Sequence, residues 1–338
     1  MRFWQVLRKL LAYVLLAIVL VTLGVYLNHR LALSREANDI SPIGNRVEVE
    51  GKQLNVYVAG SGSKTLVLLA GGGTTSPILD FKALTTQLAP DYRIVIVERL
   101  GYGFSDDGDS PRDLETVNRQ TRQALEASGI QGPYVLVAHS MAGLEALYWA
   151  QEHPAEVSAI VGLDMAMPQS YDKVKVPTFV VKIGQILLEL GYGRFLYRAE
   201  KAAPALESGH LTQAEIANYK ALFYKQALTT AIGNELEMSA SNAKQVLDKS
   251  LPSVPILLYV SNASGTSFSS EAWYQMAQDS FGQVPNATIK RLDVGHYVHD
   301  YAPEEIAAGI GEFLKDNNYV VTSFYKSQKM VLFIRRLL

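Results

Sequence analysis

The sequence predicts an α/β fold: a mostly parallel central sheet with helices on both faces, interrupted by a helical cap and preceded by a transmembrane helix. Three observations carry that prediction. Short runs rich in Val, Ile and Leu, with little alternation, recur between longer amphipathic runs, as expected of parallel strands buried on both faces. Between about Met165 and Lys249 that rhythm stops and only helical periodicity remains. Ahead of both, the run Leu10–Leu27 is apolar and carries no charge.

Composition narrows the classes further. The 338 residues suffice for one large α/β domain with an insertion and fall short of two ordinary enzymes. With 48% hydrophobic and 19% charged residues the chain can fill a sizeable core, which excludes a disordered protein. A net charge of −2 supplies no global field to select nucleic acid, so no nucleic-acid partner is expected. The absence of cysteine removes disulfides, thiolate catalysis and Cys-based zinc sites together.

At the amino terminus, a basic flank (residues 1–9, with Arg2, Arg8 and Lys9) precedes the apolar run 10–27. A helix of that length spans about 27 Å, close to the hydrocarbon thickness of a bilayer. Tyr13 and Tyr26 stand near its ends, as aromatic belts do. A cleaved signal peptide is the competing reading, with Ala32-Leu33-Ser34 as a small-x-small site, but the run is longer than a usual signal core and favours an anchor. The compact basic cluster at the start tips orientation toward an inside amino terminus and an extracytoplasmic domain at the cell membrane. Residues 28–45, with Pro42 and Gly44, read as a linker.

The runs Arg46–Glu50 and Leu54–Ala59, separated by Gly51-Lys52, form a hairpin at a sheet edge. Strands follow at Thr65–Leu69, Arg93–Val97, Tyr134–Ala138 and Val157–Leu163, with helices at Pro77–Ala89, Asp113–Ser128 and Met141–Glu152. The first part of the domain is thus 46–164, the cap 165–250, with helical stretches such as Phe179–Leu190 and Thr212–Thr230. The second part, 251–317, resumes with Val254–Val260, a helix near Glu271–Asp279, Thr288–Asp293 and a helix Pro303–Lys315. A basic-apolar tail, 318–338, has no assigned role beyond packing on the domain or touching a membrane surface.

The strongest chemical signal is Tyr134-Val-Leu-Val-Ala138-His139-Ser140-Met141-Ala142-Gly143. A buried strand ends in small-x-Ser-x-small and runs directly into a helix, the pattern of a nucleophile elbow. The flanking positions must be small because strand and helix approach closely at a strained turn. The geometry exposes the Ser140 hydroxyl, aims a helix amino terminus at developing negative charge and offers the Met141 N–H as an oxyanion donor. Upstream, Ala70-Gly71-Gly72-Gly73 follows a strand, where a second donor normally arises; Gly72 is assigned, with Gly73 as its possible replacement. A phosphate-binding loop would need a Gly-Lys-Ser/Thr ending, which is absent.

The segment Glu98-Arg99-Leu100-Gly101-Tyr102-Gly103-Phe104-Ser105-Asp106 resembles the loop after the fourth strand of α/β-hydrolases, D-x-x-G-x-G-x-S, with Glu98 in place of aspartate. The resemblance covers roughly residues 46–316 except the cap. It implies an α/β-hydrolase fold, a structural role for Glu98, and a base in a loop after the last strand. In Leu292-Asp293-Val294-Gly295-His296-Tyr297-Val298-His299 that base is His296, directly after the glycine, in preference to His299. Most relatives place the acid after the strand that follows the cap, but Ser261-Asn262-Ala263-Ser264-Gly265 holds no carboxylate. Some place it after the strand preceding the cap, and there stands Asp164; Asp293 lies too close to the histidine to orient it easily. No metal or cofactor is called for.

The resemblance implies a serine hydrolase acting through an acyl-enzyme. Haloalkane dehalogenation and epoxide hydrolysis are disfavoured, since relatives performing them carry an aspartate at the Ser140 position. A carboxylic ester is the default, with an apolar acyl substrate suited to the Leu- and Tyr-rich cap and a lipid bilayer as partner through the anchor. An aminopeptidase or other amidase, and a membrane-tethered small-ligand sensor with little turnover, are the alternatives.

Overall fold

The computed structural model describes residues 2–172 and 177–316; the tail 318–338 lies outside them. Eight strands form one sheet: β1 (Asn45–Val49), β2 (Lys52–Ala59), β3 (Thr65–Leu69), β4 (Arg93–Glu98), β5 (Tyr134–His139), β6 (Val157–Leu163), β7 (Ile256–Val260) and β8 (Ala287–Arg291). Their order is β1-β2-β4-β3-β5-β6-β7-β8. The hairpin β1–β2 is antiparallel, β2 joins β4 antiparallel, and every later pairing is parallel.

Strand side chains alternate between two cores, as a period of two requires. Val67, Val95, Leu136, Ile160 and Leu258 pack on one face with Leu125, Leu147, Trp149 and Trp273. These last come from α4 (Leu114–Ala127), α5 (Ala142–Glu152) and α11 (Ser270–Phe281). Leu66, Leu68, Ile94, Val135, Val161 and Leu257 pack on the other with Leu84, Leu88, Ile306 and Ile310. Their partners are α2 (Pro77–Asp80), α3 (Lys82–Leu88) and a final helix over 303–316. The strands therefore read as continuous apolar runs because both faces are covered.

The helix expected over Pro77–Ala89 is two short helices, breaking at Phe81, whose buried ring lies tilted against that of His299. Asp113 caps α4 by accepting the Thr116 N–H at 2.9 Å, which explains why that helix starts one residue later than the periodicity suggests.

Between β6 and β7 the described residues form helices without a strand: α6 (Thr178–Glu189), α7 (Gly193–Leu196), α8 (Ala199–Ala202), α9 (Gln213–Gln226) and α10 (Thr230–Leu247), with two short 3-10 turns. The expected helix Thr212–Thr230 is shorter, and α10 starts afresh behind Thr229, whose hydroxyl accepts the Ile232 N–H. This insertion has its own small core of Leu206, Leu211, Tyr219 and Phe223 against Leu79.

The first helix, α1 (Arg2–Glu36), corrects the expected linker: it runs nine residues past Leu27 rather than ending there. No helix breaker intervenes before Pro42, and its last turns are held by the insertion. Arg194 pairs with Glu36 through Nη1 and Nη2 (2.7 and 2.5 Å) and donates from Nε to His29 Nδ1 at 2.9 Å. By length and composition α1 is able to cross a membrane.

Glu98 is wholly buried at the end of β4, accepting the Phe104 N–H (2.7 Å) and the Asn55 amide (2.9 Å). A methyl group on Gly103, at φ +50°, would overlap its carboxylate at 2.0 Å, so the glycine is obligatory. Burial pushes the Glu98 carboxyl up to about 7. A carboxyl raised in the folded state stabilises the fold fully below its unfolded value and loses that contribution as pH rises through the folded one. Wild type minus Glu98→Gln should therefore show a stability difference that declines between about pH 4.5 and pH 7, by up to about 3 kcal/mol, in urea unfolding at stepped pH. A difference that is flat across that range would contradict this account of Glu98.

Candidate active site

Ser140 stands where β5 gives way to α5, in the left-handed region at φ +52°. A residue with a Cβ adopts that conformation at a cost of roughly 1–2 kcal/mol, so its surroundings must hold it. The Ser140 carbonyl accepts the N–H groups of Gly143 (3.0 Å) and Ala166 (2.8 Å). Ala138 and Ala142 are buried on either side, and a methyl on Gly71 would stand only 3.0 Å from the Ser140 Cβ. Small residues are required here because strand, helix and glycine loop converge.

In the parallel register of β5 and β6, His139 pairs with Leu163. The next residues, Ser140 and Asp164, thus leave neighbouring strand ends side by side, and Asp164 is left-handed too, at φ +48°. The loop after β8 brings His296 to both: Nε2 lies 2.9 Å from Ser140 Oγ and Nδ1 lies 2.5 Å from Asp164 Oδ2. Asp164 is fully buried, yet richly satisfied. Its Oδ1 accepts the Ser261 N–H (2.7 Å) and the Trp273 indole N–H (2.8 Å), and Oδ2 accepts the Ser261 hydroxyl (2.8 Å). A carboxylate acting only as acceptor places the imidazole proton on Nδ1, which leaves Nε2 free to accept from the Ser140 hydroxyl.

The strand after the insertion thus contributes Ser261, which pins the carboxylate instead of supplying one. Asp293 lies apart, exposed and accepting from the Asn262 amide at 3.0 Å. His299 is buried against Asp80, 3.1 Å from its Oδ2.

The glycine loop is fixed from below. Arg99 donates to the Ala70 carbonyl at 2.9 Å, and the Gly73 N–H donates to the Tyr102 hydroxyl at 3.2 Å. Gly73 is therefore engaged. Among the described residues no protein acceptor takes the N–H of Gly72 or of Met141. The Met141 side chain lies over Gly72, where an added methyl would meet its Cε at 2.5 Å.

Arg99 and Tyr102 belong to a buried network that sequence reading did not single out. Arg99 pairs with Glu145 of α5 (2.7 Å) and Glu235 of α10 (3.0 Å), and Arg112 pairs with the same Glu235 (2.8 Å). The Tyr102 hydroxyl donates to Glu235 at 3.1 Å. Burial alone would raise the Glu235 carboxyl, but Arg99 and Arg112 outweigh it and hold it below its ordinary value. Glu145 and Glu235 sit within helical periodicity like any surface acid, so no sequence signal marks them.

A second buried group lies behind His296. The His139 ring is 4.8 Å from His296, 4.6 Å from His299 and 4.9 Å from Tyr297, between centroids. Burial, with His299 and His296 adding to it, holds the His139 pKa well below its ordinary value, so the ring is neutral. Its Nε2 donates to the His296 carbonyl at 3.2 Å, since a carbonyl can only accept. Among the described residues Asp80, His139 and His299 form the group close enough to hold a metal ion. His139 Nε2 donates to the His296 carbonyl and His299 Nε2 is bonded to Asp80 Oδ2, so hydrogen bonds tie this group to the His296 loop, while the Nδ1 atoms of both rings have no partner among the described residues. Burial and the neighbouring Asp80 push the Asp300 carboxyl up to about 9, which leaves it neutral there.

Comparison with known proteins fits this geometry. A family profile described as alpha/beta hydrolase fold matches residues 64–303. The chain is 32% identical over 323 residues to the uncharacterized protein YbdG of Bacillus subtilis, covering 92% of this chain and 98% of that one. It is similar in structure to a Bacillus megaterium epoxide hydrolase solved with an inhibitor (TM-score 0.61, 15% identity, 80% of this chain and 100% of that one). Wild-type Cfl2 from Burkholderia cenocepacia is also similar (TM-score 0.61, 19% identity, 80% and 94%).

Removing the shared carboxylate should expose the cost of the buried network. Glu235→Ala leaves Arg99 and Arg112 short of their partner and should lower stability by about 3–5 kcal/mol in chemical denaturation. A loss below about 1 kcal/mol, the range of an exposed pair, would show that the network is not a structural hub.

Proposed function

This chain belongs to the α/β-hydrolase fold family, and on that premise we propose that it is a membrane-anchored serine hydrolase that cleaves a carboxylic ester or related acyl bond through an acyl-enzyme. The observation that carries the reading is the continuous relay Ser140 Oγ, His296 and Asp164, with contacts of 2.9 and 2.5 Å. His296 takes the Ser140 proton as the oxygen attacks a carbonyl, and Asp164 holds the tautomer and stabilises the imidazolium. The oxyanion is received by the N–H groups of Met141 and Gly72, the former at the amino terminus of α5. Protonated His296 then hands its proton to the leaving alcohol, and a water activated by the same imidazole releases the acyl group.

The presence of serine at the elbow, rather than aspartate, supports acyl transfer over the chemistry named for the epoxide hydrolase neighbour. The uncharged window of α1, none of it buried, supports an anchor, and the basic residues Arg2, Arg8 and Lys9 ahead of it support an extracytoplasmic domain. The helical insertion serves in this reading as the cap that sets substrate choice. Its apolar composition supports an apolar acyl substrate.

Turnover of activated esters of increasing chain length by the purified full-length protein tests the proposal. Wild type should show a burst of alcohol followed by steady hydrolysis, and Ser140→Ala should fall to background while keeping its unfolding transition. Asp164→Asn should lose about 10⁴ in kcat, as expected when the histidine loses its orienting carboxylate. His299→Ala, one ring removed from the relay, should keep measurable turnover. Undiminished turnover in Ser140→Ala would dismiss the proposed nucleophile.

A further inference from the structure

The cap carries large apolar side chains that none of the described residues covers. In and just after α7, Phe195, Leu196 and Tyr197 are 66%, 61% and 60% exposed. On α6 the outward face continues with Phe179, Ile183 and Ile186 at a spacing of four and three residues, one side of a helix. Scattered apolar residues on a surface are ordinary, but two such sets on adjoining helices mark a contact.

The position of this cluster relative to α1 identifies the contact. A stripe of α1 faces the cap: Thr22, Val25, His29 and Glu36 are shielded while most of the residues between them are exposed. Tyr192, three residues before Phe195, bonds through its hydroxyl to Thr22 Oγ1 at 2.8 Å. Gly191 packs against the His29 side chain and the Val25 carbonyl so closely that a methyl there would stand 2.4 Å from His29 Cβ. Arg194 is tied to Glu36 and His29 and lies over the Tyr224 ring at 4.3 Å. The junction therefore has defined contacts at four positions of α1, from Thr22 to Glu36.

Thr22 lies inside the apolar run, five residues before its end at Leu27, or about 7–8 Å along the helix axis. If α1 fills the hydrocarbon core from Leu10 to Leu27, the hydroxyl of Tyr192 sits below the lipid boundary. The turn that follows it can then not stand clear of the bilayer. We propose that the α7 edge of the cap is seated in the lipid, with Phe195, Leu196 and Tyr197 among the acyl chains and headgroups and α6 lying along the interface. The cap and α1 thus form one membrane-binding unit, and an apolar substrate passes from lipid to cap without crossing water. This inference rests on the reading of α1 as a membrane span.

The chain has no cysteine, so single cysteines can be introduced into the full-length protein and labelled with a polarity-sensitive fluorophore. Three positions suffice: Phe195→Cys in α7, Leu16→Cys within the span, and Leu251→Cys, an exposed apolar site ahead of β7 and next to Ser250, whose carbonyl accepts from Gln151. Each is reconstituted in phosphatidylcholine vesicles and quenched by doxyl-labelled phosphatidylcholine or by aqueous iodide. The expected result is blue-shifted emission and loss of most of the signal to the lipid quencher at Phe195 and Leu16, with iodide quenching at Leu251. Lipid quenching at Leu16 together with iodide quenching at Phe195 would overturn the seated cap and leave the span intact. Iodide quenching at Leu16 would overturn the span and this inference with it. A label at Phe195 shielded from both quenchers would assign the cluster to a protein contact, a second copy or the segment after residue 317, and would equally overturn the lipid assignment.

Discussion

The left-handed backbone of Ser140 is the constraint around which the rest of the site is arranged. A serine held at φ +52° sits in a region that sterics oppose, and the strain is stable only because the surroundings over-determine it. Two N–H groups, from Gly143 and Ala166, clamp its carbonyl, and the second of these comes from the chain just after β6. The elbow thus depends on β6 pairing in register with β5. The same register delivers Asp164 one step beyond Leu163, beside the serine. One sheet register therefore fixes two of the three groups in the relay, and only His296 must be brought in by a loop.

Holding a loop to within hydrogen-bond tolerance of two strand ends needs its own supports. The neutral His139 ring supplies one by donating to the His296 carbonyl, and the Ser264 carbonyl supplies another by accepting the His296 N–H at 2.9 Å. On the opposite side, Arg99 orients the glycine loop through the Ala70 carbonyl while bridging α5 and α10. Its two carboxylate partners are fully desolvated with it, which makes the ensemble costly to disrupt and gives each member a fixed place. Through Glu235 the cap helix α10 is part of that ensemble, reinforced by Asn242 donating to the Arg112 carbonyl at 2.9 Å and by Asp107 accepting the first N–H groups of α10. The α10 side of the insertion is thereby bolted to α5 and the glycine loop, whereas the α6–α7 side faces α1.

Much of this was legible in the sequence because it is written in local patterns. Buried parallel strands need continuous apolar runs, and a tight strand–helix turn needs alanine or glycine around it, so the sheet and the turn at Ser140 could be read directly. His296 and Asp164 were candidates through the α/β-hydrolase resemblance, which implies a histidine directly after the glycine and, in some members, an acid after the strand preceding the insertion. Interactions distant in the chain left no such trace. Nothing in the helical periodicity of α10 distinguishes Glu235 from a solvated acid, and nothing near Ser261 or Trp273 announces that they hold Asp164. The continuation of α1 to Glu36 was hidden for a similar reason: the polar residues after Leu27 read as a linker until Arg194, distant in sequence, supplies their partner.

In the proposed reaction the Ser140 Oγ is the atom that becomes acylated. Intact-protein mass spectrometry after treatment with a fluorophosphonate, followed by peptide mapping, reads that atom directly. A single adduct on Ser140, lost in Ser140→Ala and much slower to form in His296→Ala, is the predicted result. An adduct on any other residue, or one that persists when Ser140 is replaced, would contradict it.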